Sequence, residues 1–476
     1  MTKAQNYING KWKDGSLGRL DMVNPSYDTK AGEIARSGEK DVDEAVKAAR
    51  AAFEGEWGKT SAEDRGRLLY KAAQILLEHS DELAELESMD TGKPIKQAKT
   101  DATLIARYFE FYAGAADKFH GDTIPFKDGY TVYTQRVPLG VTGHIIPWNY
   151  PLQMTGRTLA PALAAGNAVV FKPAEDACLA VVRAFELISE LDFPAGTLNL
   201  ITGLGQEAGA ALANHSGIDH MAFTGSPEVG IEVMKNSANH IRPVLLELGG
   251  KSPQVIFNDA DLDAALPVVV NAIIQNAGQT CSAGSRLVIQ EDIHDDFVDK
   301  LIERFKKIKV GPADTNPDIG PIINKKQLQR VEEFVKRAKE NGAKILAQAK
   351  KPEGKGYFYP PTLMGRVNND SFIAQNEVFG PVLAVIPFKD EADAIRIAND
   401  VEYGLIAAVW TKDNGRAHRV TNAIHAGQVY INGYGAGGGV ELPFGGMKKS
   451  GFGREKGFEA LFDVTAVKTV VINHGS

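Results

Sequence analysis

Cysteine is scarce in this sequence: Cys178 and Cys281 are the only two among 476 residues. Two cysteines cannot build a disulfide framework or a thiolate zinc site. The ten histidines form no His-Glu-x-x-His motif, and His215 and His220 are five residues apart, which is not the spacing of a metal-binding pair on one helix face. We therefore expect no metal.

The sequence also lacks long apolar runs and an excess of positive charge. No stretch approaches the roughly 18 apolar residues that a membrane helix needs. The first residues, MTKAQNYING, lack the apolar centre of a signal peptide, so we expect a cytoplasmic protein. Lys and Arg number 53 against 60 Asp and Glu, a net charge of −7 without a basic stripe. This balance disfavours nucleic-acid binding and favours a small-molecule partner.

Helical and extended patterns alternate along most of the chain. Helices are predicted at Asp41–Phe53, with Asp41 as the cap, and behind Ser61 in a capping arrangement with Asp64. Short apolar strands separated by helices indicate a parallel sheet covered on both faces, and a second series of such elements predicts a second α/β lobe. The first series of strands is Ala168–Phe171, Leu198–Ile201, His220–Phe223 and Val244–Leu246.

Three turns that follow predicted strands are candidate ligand sites, because parallel sheets bind ligands beyond the carboxyl ends of their strands. In HMAFTGSPEVG, Gly225 and Ser226 precede a helix whose first amide groups suit a phosphate; an ordinary turn is the alternative. The turn ITGLGQEAG, which contains Gly205, departs from the dinucleotide fingerprint by one residue. Lys172 and Glu175 in FKPAE suit ribose hydroxyls, or form a solvated loop.

Cys281 and Glu247 are the candidate nucleophile and base. Cys281 lies in NAGQTCSAGSR, where polar and small neighbours suit an accessible thiol better than a buried structural one. Glu247 is the only carboxylate in the apolar and glycine-rich stretch LLELGGKSP, so it is either paired structurally or has a raised pKa suited to proton transfer. The Gly-Lys-Ser in this stretch is not a phosphate loop, because Leu245 stands where that motif needs glycine.

Together these motifs resemble the NAD(P)-dependent aldehyde dehydrogenase superfamily in order and approximate spacing. The resemblance extends over nearly the whole chain, from NYINGKW to VKTV. It rests on IPWNYP, LAAGNAVVFKPAE, FTGSPEVG, LELGGKSP, GQTCSAGSR, EVFGPV, GQVYING and PFGGMKKSGFGRE.

The resemblance implies a role for each of three catalytic residues. Cys281 matches the nucleophile that forms a thiohemiacetal with the aldehyde and, after hydride transfer, a thioester. Asn149 matches the residue whose amide, with the backbone N–H of Cys281, stabilises the oxyanion. Glu247 matches the base that activates water to hydrolyse the thioester.

The resemblance also implies an NAD site. Lys172 and Glu175 match residues at the adenosine ribose, and the carboxylate of Glu175 would repel the 2′-phosphate of NADP, so NAD is expected over NADP. The other implied cofactor contacts are Ile146, Trp148, Gly205, Gly225, Ser226, Glu377 and Phe379.

Two departures from the family pattern concern a Lys and a Glu associated with proton relay. We place these positions at Thr158, nine residues after Asn149, and at Ala466, just before the final VKTV. Both charged residues are then absent together, which would leave proton removal to Glu247.

Substrate residues are implied by alignment with IPWNYP and the cysteine motif. Arg157 resembles the arginine with which semialdehyde dehydrogenases hold a substrate carboxylate, although a structural ion pair is the alternative. The glycine run at 435–439 would widen the tunnel. We therefore expect a semialdehyde or an aromatic aldehyde as substrate. The implied tunnel residues are Tyr150, Gln153, Met154, Arg157, Thr280, Ser282 and the loop 433–442.

The implied α/β fold has a Rossmann-like cofactor domain, an α/β catalytic domain and a small β oligomerisation element. Residues 1–117 and 139–249 would form the cofactor domain, 250–449 the catalytic domain, and 118–138 with 450–476 the oligomerisation element of a homodimer or homotetramer. Two alternatives stay open: a CoA-acylating dehydrogenase, disfavoured by Glu247, and a non-enzymatic protein that retains the fold.

Overall fold

A computed structural model describes residues 2–435 and 439–475. The strands, in chain order, are β1 (Thr2–Lys3), β2 (Asn6–Ile8), β3 (Lys11–Lys13), β4 (Arg19–Asn24), β5 (Thr29–Ala35), β6 (Thr123–Ile124), β7 (Tyr130–Pro138), β8 (Val141–Ile145), β9 (Ala168–Lys172), β10 (Leu198–Leu200), β11 (His220–Thr224), β12 (Val244–Glu247), β13 (Pro253–Ile256), β14 (Arg286–Gln290), β15 (Ile345–Gln348), β16 (Thr362–Arg366), β17 (Val382–Phe388), β18 (Tyr403–Gly404), β19 (Ile406–Trp410), β20 (Gln428–Ile431), β21 (Met447–Lys448), β22 (Gly451–Phe452) and β23 (Thr465–Asn473).

Helices separate most of these strands. They are α1 (Glu39–Glu54), α2 (Ala62–Glu78), α3 (Ser80–Thr91), α4 (Ile95–Ala115), α5 (Pro151–Ala165), α6 (Leu179–Ser189), α7 (Ala210–Asn214), α8 (Pro227–Asn239), α9 (Leu262–Ile274), α10 (His294–Lys307), α11 (Lys325–Glu340), α12 (Phe372–Gln375), α13 (Glu391–Asn399), α14 (Asn414–Ala423) and α15 (Glu459–Asp463).

Two large sheets organise the fold. The first has the order β22-β12-β11-β8-β9-β10-β2-β3, with β12, β11, β8, β9 and β10 parallel. The second has the order β15-β16-β17-β14-β13-β19-β20, and its pairs are parallel except for the edge strand β15. Each sheet has its own large apolar core. The strands β9, β11 and β13 are buried along their whole length, as expected for parallel strands covered on both faces.

Smaller sheets complete the architecture. The long strand β23 pairs antiparallel with β7 over Thr465–Asn473, and β6 pairs with the other edge of β7. The short strand β22 pairs with β12 and so joins the chain near its C-terminus to the first large sheet. No helix in the described part of the chain has both the length and the apolarity needed to cross a membrane.

The predicted elements agree closely with the structure, with one correction at the start of α1. Asp41 is the third residue of the helix and not its cap, since α1 begins at Glu39. Its carboxylate accepts from the backbone N–H of Gly38, the residue before the helix, at 2.9 Å. The capping by Ser61 is confirmed: its hydroxyl oxygen accepts from the Asp64 amide at 3.1 Å.

Candidate active site

A cavity of about 1030 Å³ collects most of the residues singled out in the sequence. Its walls come from the carboxyl-terminal ends of β11 and β12, from α5, and from the loop that carries Cys281. This is the edge at which parallel sheets bind ligands. The predicted residues that line it are Trp148, Asn149, Tyr150, Gln153, Met154, Arg157, Gly225, Ser226, Glu247, Thr280, Cys281, Ser282, Glu377 and Phe379.

The loop before Cys281 has an unusual backbone. Asn276 and Ala277 both take left-handed φ values, 47° and 56°, which cost non-glycine residues free energy and need support from their surroundings. Gln279 provides that support: its amide donates to the Asn276 carbonyl at 3.0 Å and its side-chain oxygen accepts from the Ile323 amide at 2.9 Å. The loop is therefore held rigidly where it turns into the cavity.

Cys281 is partly accessible from the cavity, whereas Cys178 is buried and its thiol donates to the Ala174 carbonyl at 2.9 Å. Burial raises the pKa of the Cys281 thiol to about 12, and the positive charge of Arg157 opposes this rise. The thiol is thus neutral at pH 7 and needs a base to become a nucleophile.

Asn149 is fixed beside this loop from both sides. Its side-chain amide nitrogen donates to the Gln279 backbone carbonyl at 2.9 Å, and its backbone carbonyl accepts from the Asn276 side chain at 2.8 Å. A side-chain amide has two N–H bonds, so one is available for an oxyanion formed at Cys281. The residue is 5% exposed, which keeps that donor in a partly dehydrated setting.

Glu247 ends β12 and is almost fully buried in a group of charged side chains. Burial and the nearby carboxylate of Glu455 raise the pKa of Glu247 well above its usual range, and Arg157 opposes them. The Arg157 guanidinium forms an ion pair with Glu455 and lies 3.9 Å from a Glu247 oxygen. The ion pair, one of the two interpretations of Arg157, is therefore present, and the binding of a substrate carboxylate stays a prediction.

The two glycines after Glu247 allow close contacts on either side of the turn. A Cβ on Gly249 would lie 2.1 Å from a Glu377 oxygen, and a Cβ on Gly250 would lie 2.4 Å from the Cys281 carbonyl. The Gly250 amide donates to Glu377 at 3.0 Å. The ELGG sequence thus brings Glu377 and the nucleophile loop together.

Glu377, Phe379 and Trp148 form one side of the cavity. Phe379 has a left-handed φ of 56°, its carbonyl accepts from Gln327 at 2.8 Å, and its ring meets that of Trp148 edge to face at 5.3 Å. Burial raises the pKa of Glu377 to about 7. These residues offer a carboxylate next to an aromatic wall.

The start of α8 lies at the same cavity. Ser226 caps the helix, its hydroxyl oxygen accepting from the Val229 amide at 3.4 Å, and Pro227 follows at the first helical position. A Cβ on Gly225 would lie 2.5 Å from the Phe223 ring, so a larger residue in this turn would displace that ring. The first turn of a helix favours a phosphate, although the exposed Glu228 in this turn opposes an anion.

Four predicted cofactor residues form a separate group at the ends of β8 to β10. Lys172 is buried, and its amine lies 3.4 Å from Glu175, whose other oxygen accepts from the Gly205 amide at 3.1 Å. The Ile146 side chain is 2% exposed, and its amide donates to the Lys172 carbonyl. Ile146 thus supports the group through its backbone.

The remaining cavity wall is aromatic. Tyr430, Tyr434 and Phe444 line it, and the Tyr434 hydroxyl donates to the Ser282 carbonyl at 2.6 Å. The hydroxyls of Thr280 and Ser282 lie 3.1 Å apart. Residues 436–438 of the glycine run lie outside the described residues.

Comparison with known proteins agrees with this geometry. The model of the aldehyde dehydrogenase family matches residues 12–470. An aldehyde dehydrogenase of Emericella nidulans is 44% identical over 98% of this chain and 94% of its own length. The chain belongs to the aldehyde dehydrogenase family.

Solved structures of aldehyde dehydrogenases share the fold. A mutant of the Bacillus cereus enzyme is 40% identical and superposes with a TM-score of 0.98, covering 100% of this chain and 97% of that one. Betaine aldehyde dehydrogenase from Staphylococcus aureus in complex with NAD⁺ is 39% identical with a TM-score of 0.97, covering 99% of this chain and 95% of its own.

We placed the relay positions of the family at Thr158 and Ala466. The first of these residues is buried and the second is exposed. Thr158 is buried in α5, and its hydroxyl donates to the Met154 carbonyl at 3.1 Å. Ala466 is exposed on β23 opposite Val137. The charged residues beside Glu247 are instead Arg157 and Glu455.

Sequence reasoning assigned no role to Glu455 or Gln279, although both lie inside family motifs that it recognised. Glu455 is the last residue of PFGGMKKSGFGRE, and a carboxylate in a glycine-rich stretch is the same signal that identified Glu247.

Among the described residues, no cluster of three or more His, Cys, Asp or Glu could hold a metal ion.

Proposed function

We propose that this chain oxidises an aldehyde to the carboxylic acid with NAD, through a thiohemiacetal and a thioester on Cys281. One observation carries the proposal: a partly accessible thiol, an amide donor and a buried carboxyl with a raised pKa line the same cavity. These are the nucleophile, the oxyanion donor and the base that this chemistry requires.

The first step is attack of Cys281 on the aldehyde carbon. Because burial raises the thiol pKa to about 12, the thiol must lose its proton as the S–C bond forms. Glu247 lies within electrostatic reach of the thiol and is the acceptor that we assign to this proton. Asn149 donates to the developing alkoxide, and one such donor contributes roughly 10²–10³ in rate.

The second step oxidises the thiohemiacetal carbon, and the third hydrolyses the thioester. When bound, the nicotinamide of NAD supplies the acceptor for the hydride that leaves this carbon. Glu247 releases the first proton to solvent, and its carboxylate then takes a proton from water, whose oxygen attacks the thioester carbon. The C–S bond breaks, the departing sulfur takes that proton back from Glu247 to restore the thiol, and the acid leaves.

Two groups of residues suit a dinucleotide. Glu377 at the cavity, and Glu175 in the separate group with Lys172 and Gly205, are carboxylates suited to accept hydrogen bonds from ribose hydroxyls, and the start of α8 at the cavity suits a pyrophosphate. The Staphylococcus aureus relative was solved with NAD⁺. The negative charge of Glu175 favours NAD over NADP.

For the substrate, the cavity favours an aromatic aldehyde over a semialdehyde. The Arg157 guanidinium pairs with Glu455 and lies 3.9 Å from Glu247, so two buried carboxylates compete for it with a substrate carboxylate. Tyr150, Tyr430 and Phe444 offer ring faces and edges on which an aromatic substrate packs.

We also propose that the chain keeps the domain division expected from its sequence. In addition, we propose that it assembles with copies of itself. Val467 and Val471 on β23 are 52% and 56% exposed, and Val229, Ile231 and Met234 expose an apolar face of α8. Exposed apolar patches of this kind mark interfaces. Light scattering of the purified protein tests this, and a monomer would contradict it.

The function is tested by following NADH formation over aliphatic, aromatic and carboxylate-bearing aldehydes, with Cys281→Ala as control. We expect NADH with the wild type, most efficiently with aromatic aldehydes, and none with the variant. A strict need for added CoA would indicate an acylating enzyme. No NADH with any aldehyde would indicate a binding protein.

A further inference from the structure

Arg157, Glu247 and Glu455 meet at the wall of the cavity, which the first two line, from three separate parts of the chain. Arg157 projects from α5, Glu247 ends β12, and Glu455 follows β22. An Arg157 Nη lies 3.9 Å from Glu247, its Nε contacts Glu455, and its guanidinium carbon lies 4.2 Å from the centre of the Phe444 ring. The guanidinium is thus held at its edge by a carboxylate and at its face by a ring.

These three side chains bring one cation to two carboxyl groups, and further charged groups of both signs lie around them. One guanidinium faces two carboxylates, which are 2% and 3% exposed, and a buried carboxylate without compensation is costly. In the described part of the chain, neither oxygen of Glu247 finds a hydrogen-bond partner. The ionisation of Glu247 therefore depends on how its neighbours are charged. The other charged or titratable groups that face Glu247 are Arg454, Lys456, Asp463 and Cys281.

We propose that Arg157 is a positioning residue that Glu455 anchors, and that this pair sets the pH range in which Glu247 acts as a base. The proposal rests on the proposed function, because it assigns Glu247 to thioester hydrolysis. Arg157 stabilises the carboxylate form of Glu247. Glu455 opposes that form by its own charge and by sharing the guanidinium.

Removing either charge of the Arg157–Glu455 pair should shift the pH profile of thioester hydrolysis, and the two substitutions should shift it in opposite directions. Arg157→Gln removes the positive charge, which disfavours the Glu247 carboxylate, so the acidic limb of this profile moves to higher pH. Glu455→Gln removes a negative charge and leaves the guanidinium to Glu247 alone, so the limb moves to lower pH. Charges at this distance shift a carboxyl pKa by roughly 1–3 units, and we expect displacements of at least about one unit.

The readout is the rate of thioester hydrolysis in a single turnover from pH 6 to 10, after the initial burst of NADH. Because the burst precedes hydrolysis, its amplitude should persist in both variants. Arg157→Lys keeps the charge and should bring the limb back towards that of the wild type. Arg242→Gln is the matched control, since it removes another buried guanidinium, one that donates to the carbonyls of Ala213 and His215, and it should leave the limb in place.

The proposal is overturned if Arg157→Gln and Glu455→Gln move the limb in the same direction, or if neither moves it. It is also overturned if Arg157→Gln raises KM only for carboxylate-bearing aldehydes, which would assign the guanidinium to the substrate. If Arg157→Gln does not fold, Glu455→Gln alone decides, and a limb that stays in place or moves to higher pH in this variant overturns the proposal. Failure of the proposed function looks different: the wild type would form no NADH burst, or Cys281→Ala would retain it.

Discussion

Lys93 is a buried cation beside the ring of Tyr150, the residue that follows Asn149. Its amine lies 2.6 Å from Glu87, contacts Asp101, and lies 4.3 Å from the centre of the Tyr150 ring. The three charged side chains are 0–4% exposed. Glu87 also accepts from the Leu152 amide in the first turn of α5, at 3.1 Å. The cation therefore ties α3 and α4 to the start of the helix that follows Asn149.

Replacing Lys93 with Met leaves two buried carboxylates without their cation. Breaking a buried ion pair in this way costs about 3–5 kcal/mol of unfolding free energy. Burial raises the pKa of Glu87, and without Lys93 that rise is larger. A carboxyl group with a raised pKa in the folded state loses stability as pH increases through that pKa, so the deficit should be larger at pH 8 than at pH 5.

The assay is urea denaturation of the wild type and of Lys93→Met at pH 5 and pH 8, which gives the unfolding free energy of each. A triple variant, Lys93→Met with Glu87→Gln and Asp101→Asn, removes all three charges and should regain much of the loss. Lys13→Met is the matched control, because its pair with Glu44 is exposed and should contribute no more than about 1 kcal/mol. A loss below about 1 kcal/mol for Lys93→Met at pH 8, or equal losses at both pH values, would refute the reasoning.

Three further predictions concern the cavity. Asn149→Ala should lower kcat by roughly 10²–10³ with a smaller change in KM, because the donor acts on the oxyanion; an unchanged kcat in steady-state assays would contradict this. Glu175→Gln should raise kcat/KM for NADP relative to NAD, as measured with both cofactors at one aldehyde concentration, and an unchanged ratio would remove Glu175 from that role. Gly249→Ala should raise KM for NAD, since its Cβ would lie 2.1 Å from Glu377, and normal KM values would show that the turn adapts.

The elements that position the site were predictable because local patterns determine them. The strands β9, β11 and β12 are short apolar runs bounded by turn residues, and their predicted bounds lie within one residue of the structure. The cap of α2 at Ser61 followed from a pattern of four residues. Such features depend on neighbours in sequence, which a single chain displays.

The charged clusters were not predictable in the same way, because their members are distant in sequence. Glu455 and Arg157 are about 300 residues apart, and nothing near either residue indicates its partner. Only the packing of α5 against the segment after β22 reveals this pairing. Likewise, the left-handed turn at Asn276 and Ala277 is supported by contacts of Gln279 that the sequence does not display.

The most direct test of the account is mass spectrometry of Glu247→Gln after mixing with an aromatic aldehyde and NAD. At pH 10, where a small part of the Cys281 thiol ionises without Glu247, we expect the protein to gain the mass of one acyl group slowly and peptide mapping to place this group on Cys281, because the thioester that forms has lost its base for hydrolysis. The double variant with Cys281→Ala should gain no mass. Full turnover of the aldehyde by Glu247→Gln without an adduct, or an acyl group on a different residue, would contradict the account.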